Sequence, residues 1–253
     1  MKRIKLVVAY DGTNYHGWQF QPEQPTIEGI LNWALFDLLN EDTEVIGASR
    51  TDTGVHAMGN VCVFDTESRI PAEKFAAALN ARLPEDIRIM SSSETPLDFH
   101  PRYDCHDKTY EYRITRAKIM PPVKRLYSHH IYYHLDVSKM RQAAAYLVGR
   151  HDFASFCSAG SSVKDTVRTV LSVDVIEEDA DIVIRVKGEG FLYNMVRIIA
   201  GTLIHVGSGR MKPEAVRDAV LGTDRSLAGP TAPAKGLTLI EINYDGVDEN
   251  STE

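Results

Sequence analysis

Apolar residues alternate from Ile4 through Leu6 and Val8 to Tyr10, which predicts a strand buried on at least one face. Asp11-Gly12-Thr13-Asn14 turns it, and a loop rich in aromatic and amide groups, Tyr15 to Pro22, follows. Thr26 caps a helix predicted to reach about Asn40, with Ile27, Ile30, Leu31, Ala34, Leu35 and Leu38 as its apolar stripe. Strands are predicted from Thr43 to about Ala48, from Asn60 to Phe64 and from Ile87 to Met90. A helix opening at Pro71 lies between the last two and carries Phe75, Ala78 and Leu79 inward. Strand, helix, strand, strand, helix, strand is the split βαβ order. Ser91 to Pro101 is polar and interrupted by proline, so the expected domains are residues 1–100 and 101–253.

The second part begins with Lys108 to Ile114, where Tyr110, Tyr112 and Ile114 share one strand face and Thr109, Glu111 and Arg113 the other. Leu126 to His134 predicts a strand, Val137 to Gly149 a helix, and Arg150 to Phe156 a loop. A hairpin is expected from Thr166 to Lys187, turning at Glu178-Asp179. From Phe191 to Val206 the predicted helix is apolar nearly all round, apart from Asn194, Arg197 and His205. Such a helix belongs in a core. A short helix from Pro213 to Gly222, a proline-rich loop at 229–233 and a strand from Leu237 to Tyr244 follow, and the terminal residues are expected to be disordered. The fold class is α+β.

Two places carry candidate chemistry. Arg50, Asp52 and His56 crowd a short loop between two apolar segments. An Asx or Ser/Thr turn accounts for Asp52, Thr53 and Gly54 but leaves the arginine two residues earlier unexplained. Arg197 is the second place. A guanidinium in an apolar helix requires an anion, several acceptors or an opening to water. The helix itself supplies no acid. A structural ion pair and a functional partner both meet that need, and Asp52 is a candidate for it. The Tyr15 to Pro22 loop, with Trp18, reads equally as a lid over the helix or as a surface for stacking bases. His151 lacks a partner at metal spacing, so a structural or substrate-contact role is expected.

Charge changes the picture of possible partners. The formal net charge is -7, yet residues 101–130 hold seven Lys or Arg against three acids, while residues 241–253 hold five acids and no base. Phosphate binding depends on that distribution and not on the sum. No apolar run approaches the length of a membrane span, and the short apolar run after Met1-Lys2-Arg3 does not make an export signal. The three cysteines are far apart and odd in number, so a cytoplasmic chain without structural disulfides is expected. No nucleotide-cofactor fingerprint or clustered metal ligands occur, so neither a cofactor nor a metal is expected.

The run Ala48-Ser49-Arg50-Thr51-Asp52-Thr53-Gly54-Val55-His56-Ala57 resembles the catalytic signature of the TruA family of tRNA pseudouridine synthases. The resemblance covers most of the chain in the family's order. It includes Asp11-Gly12, Tyr15-His16-Gly17-Trp18-Gln19, Lys108-Thr109-Tyr110-Glu111-Tyr112, Gly149-Arg150-His151-Asp152-Phe153, Phe191-Leu192-Tyr193-Asn194-Met195-Val196-Arg197 and Thr231 to Leu237. Thr53 departs from it, standing where alanine is usual.

The resemblance implies two ferredoxin-like halves with the active site in the cleft between them, and a homodimer that holds tRNA without a cofactor. It implies conversion of uridine to pseudouridine at positions 38 to 40 of the anticodon stem-loop. By the same resemblance Asp52 is the catalytic aspartate, Tyr110 the active-site tyrosine and Arg197 the basic partner of the aspartate. Arg50 is the residue that intrudes into the RNA helix. Arg168, His56, Trp18, His151, Phe153 and Lys108 complete the candidate RNA contacts. An RNA-binding chaperone without chemistry and a metal-dependent hydrolase using Asp52, His56 and His151 are the competing classes. Neither calls for Tyr110 or for the polar pattern of the 191–206 helix.

Overall fold

The computed structural model describes residues 1–160 and 163–244; the expected disorder of the terminal residues therefore lies, from 245 on, outside the described residues. The chain forms two compact units, one made of Met1–Lys108 with the chain from Leu239, the other of Thr109–Thr238. The class is α+β with antiparallel and parallel strand pairs. No helix of the described residues is long and apolar enough to cross a membrane.

The first unit contains β1 (Lys2–Tyr10), α1 (Ile27–Leu39), β2 (Ile46–Gly47), β3 (His56–Thr66), α2 (Phe75–Asn80) and β4 (Ile87–Thr95). The strands lie in the order β4-β1-β3-β2 with every neighbouring pair antiparallel. Leu6 stands opposite Cys62 on one side and Ser92 on the other. Ile4, Leu6 and Val8 are fully buried, as the alternation predicts. α1 turns Ile27, Leu31, Ala34 and Leu35 inward and is capped as expected by Thr26, whose side chain accepts from Gly29 N. Phe75 of α2 meets Phe64 of β3 edge-on at 5.2 Å. Each such buried ring contributes roughly 1.5–3 kcal/mol of transfer free energy.

Two expectations change here. The strand from Thr43 to Ala48 shrinks to β2 because Asn32 Oδ1 takes the N–H of Val45 at 2.9 Å, in place of a strand partner. β4 continues through Ser91 to Thr95 along β1, since serine and threonine make the same backbone ladder as apolar residues.

The second unit holds the later part of β5 (Cys105–Arg116), then β6 (His129–Ile131), α3 (Val137–Ala144), β7 (Gly149–Asp152), β8 (Val167–Glu178), β9 (Asp181–Gly188), α4 (Met195–Gly207) and α5 (Glu214–Gly222). Its strand order is β6-β5-β9-β8-β7, and β6 runs parallel to β5. The β8–β9 hairpin turns at Asp179 and Ala180, with Asp179 in left-handed backbone. α4 buries eleven of its thirteen residues, so its apolar pattern is met by a core.

Four boundaries differ from expectation. The predicted strand Leu126 to His134 is only β6, because Tyr127 N–H turns back to Lys124 O at 3.1 Å. Residues 149–152 form β7 instead of a loop, with His151 opposite Arg168. The helix from Val137 ends at Ala144 and continues as a 3₁₀ turn, and Gly149, at φ 118, opens the next strand. α4 begins only at Met195, after Asn194 at φ 60. The last strand, β10 (Leu237–Tyr244), lies beside β3 in the first unit. There Asn243 Nδ2 donates to Asp107 Oδ1 at 2.8 Å and Tyr244 Oη donates to Pro101 O at 2.7 Å.

Candidate active site

From Ala48 to Val55 the chain has no regular structure, yet its backbone is held nearly residue by residue. Ala48 N donates to Val61 O at 2.8 Å, and Ala48 O accepts from Lys108 Nζ at 2.7 Å. Ser49 O accepts from Asn60 Nδ2 at 3.0 Å. Thr51 O accepts from Trp18 N at 3.0 Å, and Thr51 Oγ1 lies 2.7 Å from Tyr10 Oη. Asp52 O accepts from Val55 N at 3.1 Å, closing a turn in which Gly54 has φ 76. Gly17, at φ 86, brings its backbone so near the loop that a Cβ there would stand 2.7 Å from Thr51 O. Only glycine permits that approach. What the loop leaves toward solvent is Arg50 and Thr53, with Asp52 half-buried between them.

Three expected RNA contacts stand behind this loop as buried side chains. His56 is 4% exposed, and its Nδ1 lies 3.1 Å from both Gly12 N and Asp11 Oδ1. Trp18 is 1% exposed, packed beneath Gly47 with its ring 6.0 Å from that of Tyr10. The Tyr15 to Pro22 loop thus divides its work: Tyr15 and Trp18 point inward, while Phe20 is exposed. Lys108 is 9% exposed, and burial lowers the pKa of its ammonium. These groups shape the loop from within.

In the second unit Tyr110 of β5 is buried and meets Phe191 edge-on at 5.2 Å. Arg197 leaves the first turn of α4 half-buried. Its Nε donates to Ala232 O at 2.9 Å and its Nη1 to Asn194 Oδ1 at 2.7 Å. Asn194 Nδ2 in turn donates to Ser158 Oγ at 3.0 Å. The loop supplying Ala232 is pressed onto α4, since a Cβ on Gly201 would fall on Pro230 O. Thr202 Oγ1 accepts from Gly229 N at 2.8 Å in the same place. Tyr112 Oη, two residues beyond Tyr110, donates to Pro233 O at 2.9 Å. One proline-bracketed loop therefore ties both the tyrosine strand and the arginine helix. These two acceptors of the guanidinium, Ala232 O and Asn194 Oδ1, are neutral.

The remaining candidates cluster on β7 and β8. Arg168 Nη1 donates to Asp165 O at 3.0 Å and to Val167 O at 2.6 Å, and His151 Nε2 lies 2.9 Å from Val148 O. Phe153 is fully buried, edge-on to His151 at 5.8 Å, so it belongs to the core. Among the described residues no group of three or more His, Cys, Asp or Glu side chains is arranged to hold a metal ion. Sequence reasoning missed Tyr10, Asn60 and Ala232 as supports. Asn60 carried the one available signal, an amide opening an otherwise apolar strand.

The chain matches the family described as tRNA pseudouridine synthase over residues 6–104 and 143–245. It is 47% identical over 245 residues to tRNA pseudouridine synthase A of Ruminiclostridium cellulolyticum, covering 96% of this chain and 100% of that one. The protein of the same name from Brevibacillus brevis is 47% identical over 244 residues, with the same coverage. tRNA pseudouridine synthase A 2 of Clostridium tetani is 46% identical over 246 residues, covering 96% of this chain and 99% of that one.

Proposed function

The chain belongs to the tRNA pseudouridine synthase family, and we propose that it isomerises uridine to pseudouridine in tRNA, at positions 38, 39 and 40 of the anticodon stem-loop. The observation that carries the reading is the loop in which Arg50 and Asp52 are displayed while the flanking backbone is fixed. Catalysis on an extruded base needs a group held ready before the substrate arrives, because reorganisation at that moment adds to the barrier.

The reaction breaks the C1'–N1 bond of one uridine, forms C1'–C5 on the same nucleotide, and moves the C5 proton to solvent as N1 gains one. No electrons are gained or lost. In this proposal the Asp52 carboxylate either adds to the nucleotide or removes a proton to release the base, each route dividing a hard step into easier ones. Tyr110 places its ring against the uracil and its hydroxyl near the C5 proton. Arg197 keeps the carboxylate ionised, since a nearby opposite charge lowers a carboxyl pKa. Arg50 fills the space that the extruded base leaves, and Arg168 with the basic stretch 102–125 contacts phosphates.

The halves are read as ferredoxin-like. The order β4-β1-β3-β2 in the first unit supports this, as does the neighbour order β5-β9-β8 in the second. A cytoplasmic homodimer completes the proposal, and light scattering of the purified protein tests the dimer. The function is tested with an unmodified tRNA transcript incubated with protein and EDTA, treated with carbodiimide and mapped by reverse-transcription stops. New stops at 38 to 40 that vanish with Asp52→Ala are expected. Binding without stops would replace the reading with an RNA-binding chaperone, and activity only with added divalent metal would replace it with a hydrolase.

A further inference from the structure

We propose that Asn60 and Lys108 are positioning residues for the loop that carries Arg50 and Asp52. The inference rests on the catalytic reading of Asp52. Asn60 is fully buried, and both N–H groups of its amide are used around the loop. Nδ2 donates to Ser49 O at 3.0 Å and to Tyr10 Oη at 3.3 Å, while Oδ1 accepts from Val61 N at 3.0 Å. The Tyr10 hydroxyl, which accepts from Asn60, lies 2.7 Å from Thr51 Oγ1. Lys108 holds the preceding carbonyl, Ala48 O, at 2.7 Å. Two donors from outside the loop thus fix two consecutive peptide planes immediately before Arg50, and the Tyr10 contact fixes the residue after it.

Stability alone does not call for this arrangement. Among the described residues the Lys108 ammonium makes one hydrogen bond, to a neutral carbonyl. A buried charge with so little compensation is costly, and an apolar side chain of similar length would fill the space without that cost. A cation kept there against the fold's own preference, at the root of the aspartate loop, points to geometry required by turnover.

The test measures single-turnover pseudouridine formation and tRNA Kd for Lys108→Met and Asn60→Ala, with Lys108→Arg as the conservative variant and Asp52→Ala as control. The expected result is a rate lowered about tenfold to a hundredfold, the scale of a small misplacement of a reacting group. Kd should stay within about threefold, and Lys108→Arg should recover part of the rate, because it restores a charged donor. An unchanged rate in the folded variants, with Asp52→Ala inactive, overturns this inference and leaves the function standing. A raised Kd at unchanged rate overturns it too, by making Lys108 an RNA contact. Turnover by Asp52→Ala overturns the catalytic reading itself. If Lys108→Met does not fold, Lys108→Gln, which keeps an amide donor, is read against the same outcomes.

Discussion

Arg197 Nη1 donates to Asn194 Oδ1 at 2.7 Å, across three residues in which the chain passes from left-handed backbone at φ 60 into α4. One asparagine therefore serves two purposes: its backbone starts the helix and its amide aims the arginine. Asn194→Gly keeps the backbone conformation and loses the contact, while Asn194→Ala loses both. Loss of a hydrogen bond to a charged group costs about 1.5–3 kcal/mol, and left-handed backbone adds roughly 1–2 kcal/mol for alanine. Urea melts should rank wild type above Asn194→Gly above Asn194→Ala, with both variants slower in single turnover.

Gly17 and Gly160 share nearly the same backbone, φ 86 and φ 85. Only Gly17 has Thr51 O in the way of a Cβ, whereas among the described residues nothing lies within 4 Å of one at Gly160. Gly17→Ala should cost about 1–3 kcal/mol and displace the Asp52 loop, lowering turnover. Gly160→Ala should cost about 1 kcal/mol and leave turnover intact. Paired thermal melts and rate measurements check the contrast, and equal effects on rate would remove the close approach as its cause.

Arg50 is exposed, and its neighbours on both sides are held by contacts of their own rather than by its side chain. Arg50→Ala should therefore leave stability within about 0.5 kcal/mol of wild type. If the arginine helps hold the base out, kcat/KM for tRNA should fall about tenfold or more, since extrusion costs a few kcal/mol. Melting curves beside steady-state kinetics read both effects.

Asp181 is 4% exposed and accepts from Lys124 Nζ at 2.8 Å, Thr115 Oγ1 at 2.9 Å and Arg113 Nη1 at 3.2 Å. Burial opposes its ionisation, but the donors outweigh it and hold the carboxyl below the usual carboxylate range. A carboxyl whose folded pKa is depressed contributes stability above its unfolded pKa of about 3.9 and loses it as pH falls through the folded value. Asp181→Asn should cost about 2–3 kcal/mol at neutral pH, with the gap to wild type narrowing below about pH 4. Urea melts at several pH values follow it.

The alternation of Ile4 to Tyr10, the cap at Thr26 and the apolar helix around Arg197 made most elements legible, because burial imprints its period on the residues. Boundaries set by single hydrogen bonds were not legible. Asn32 delays β2 by taking the N–H of Val45 and Asn194 delays α4 by its left-handed backbone, yet each looks like any other polar residue in the sequence. Polar strands were missed for the related reason that Ser91 to Thr95 pair through backbone alone. At the site, Arg50 and Asp52 stood out as charged groups in a turn. Exposure was harder to read: Trp18, His56 and Phe153 are of types that bind RNA or fill a core equally well, and the structure puts all three in the core.

The strand that completes the first unit is made last. β10 takes its place beside β3 from Leu239 on, after the whole of residues 109–238 has been synthesised. At ordinary translation speeds that is a delay on the order of ten seconds. Through it the nascent chain carries the aspartate loop and its supports on a sheet with one uncovered edge, and Asp107 and Pro101 still await Asn243 and Tyr244. Open edges invite pairing with other chains. The interval before β10 is made is therefore when a chaperone has most to protect in this unit.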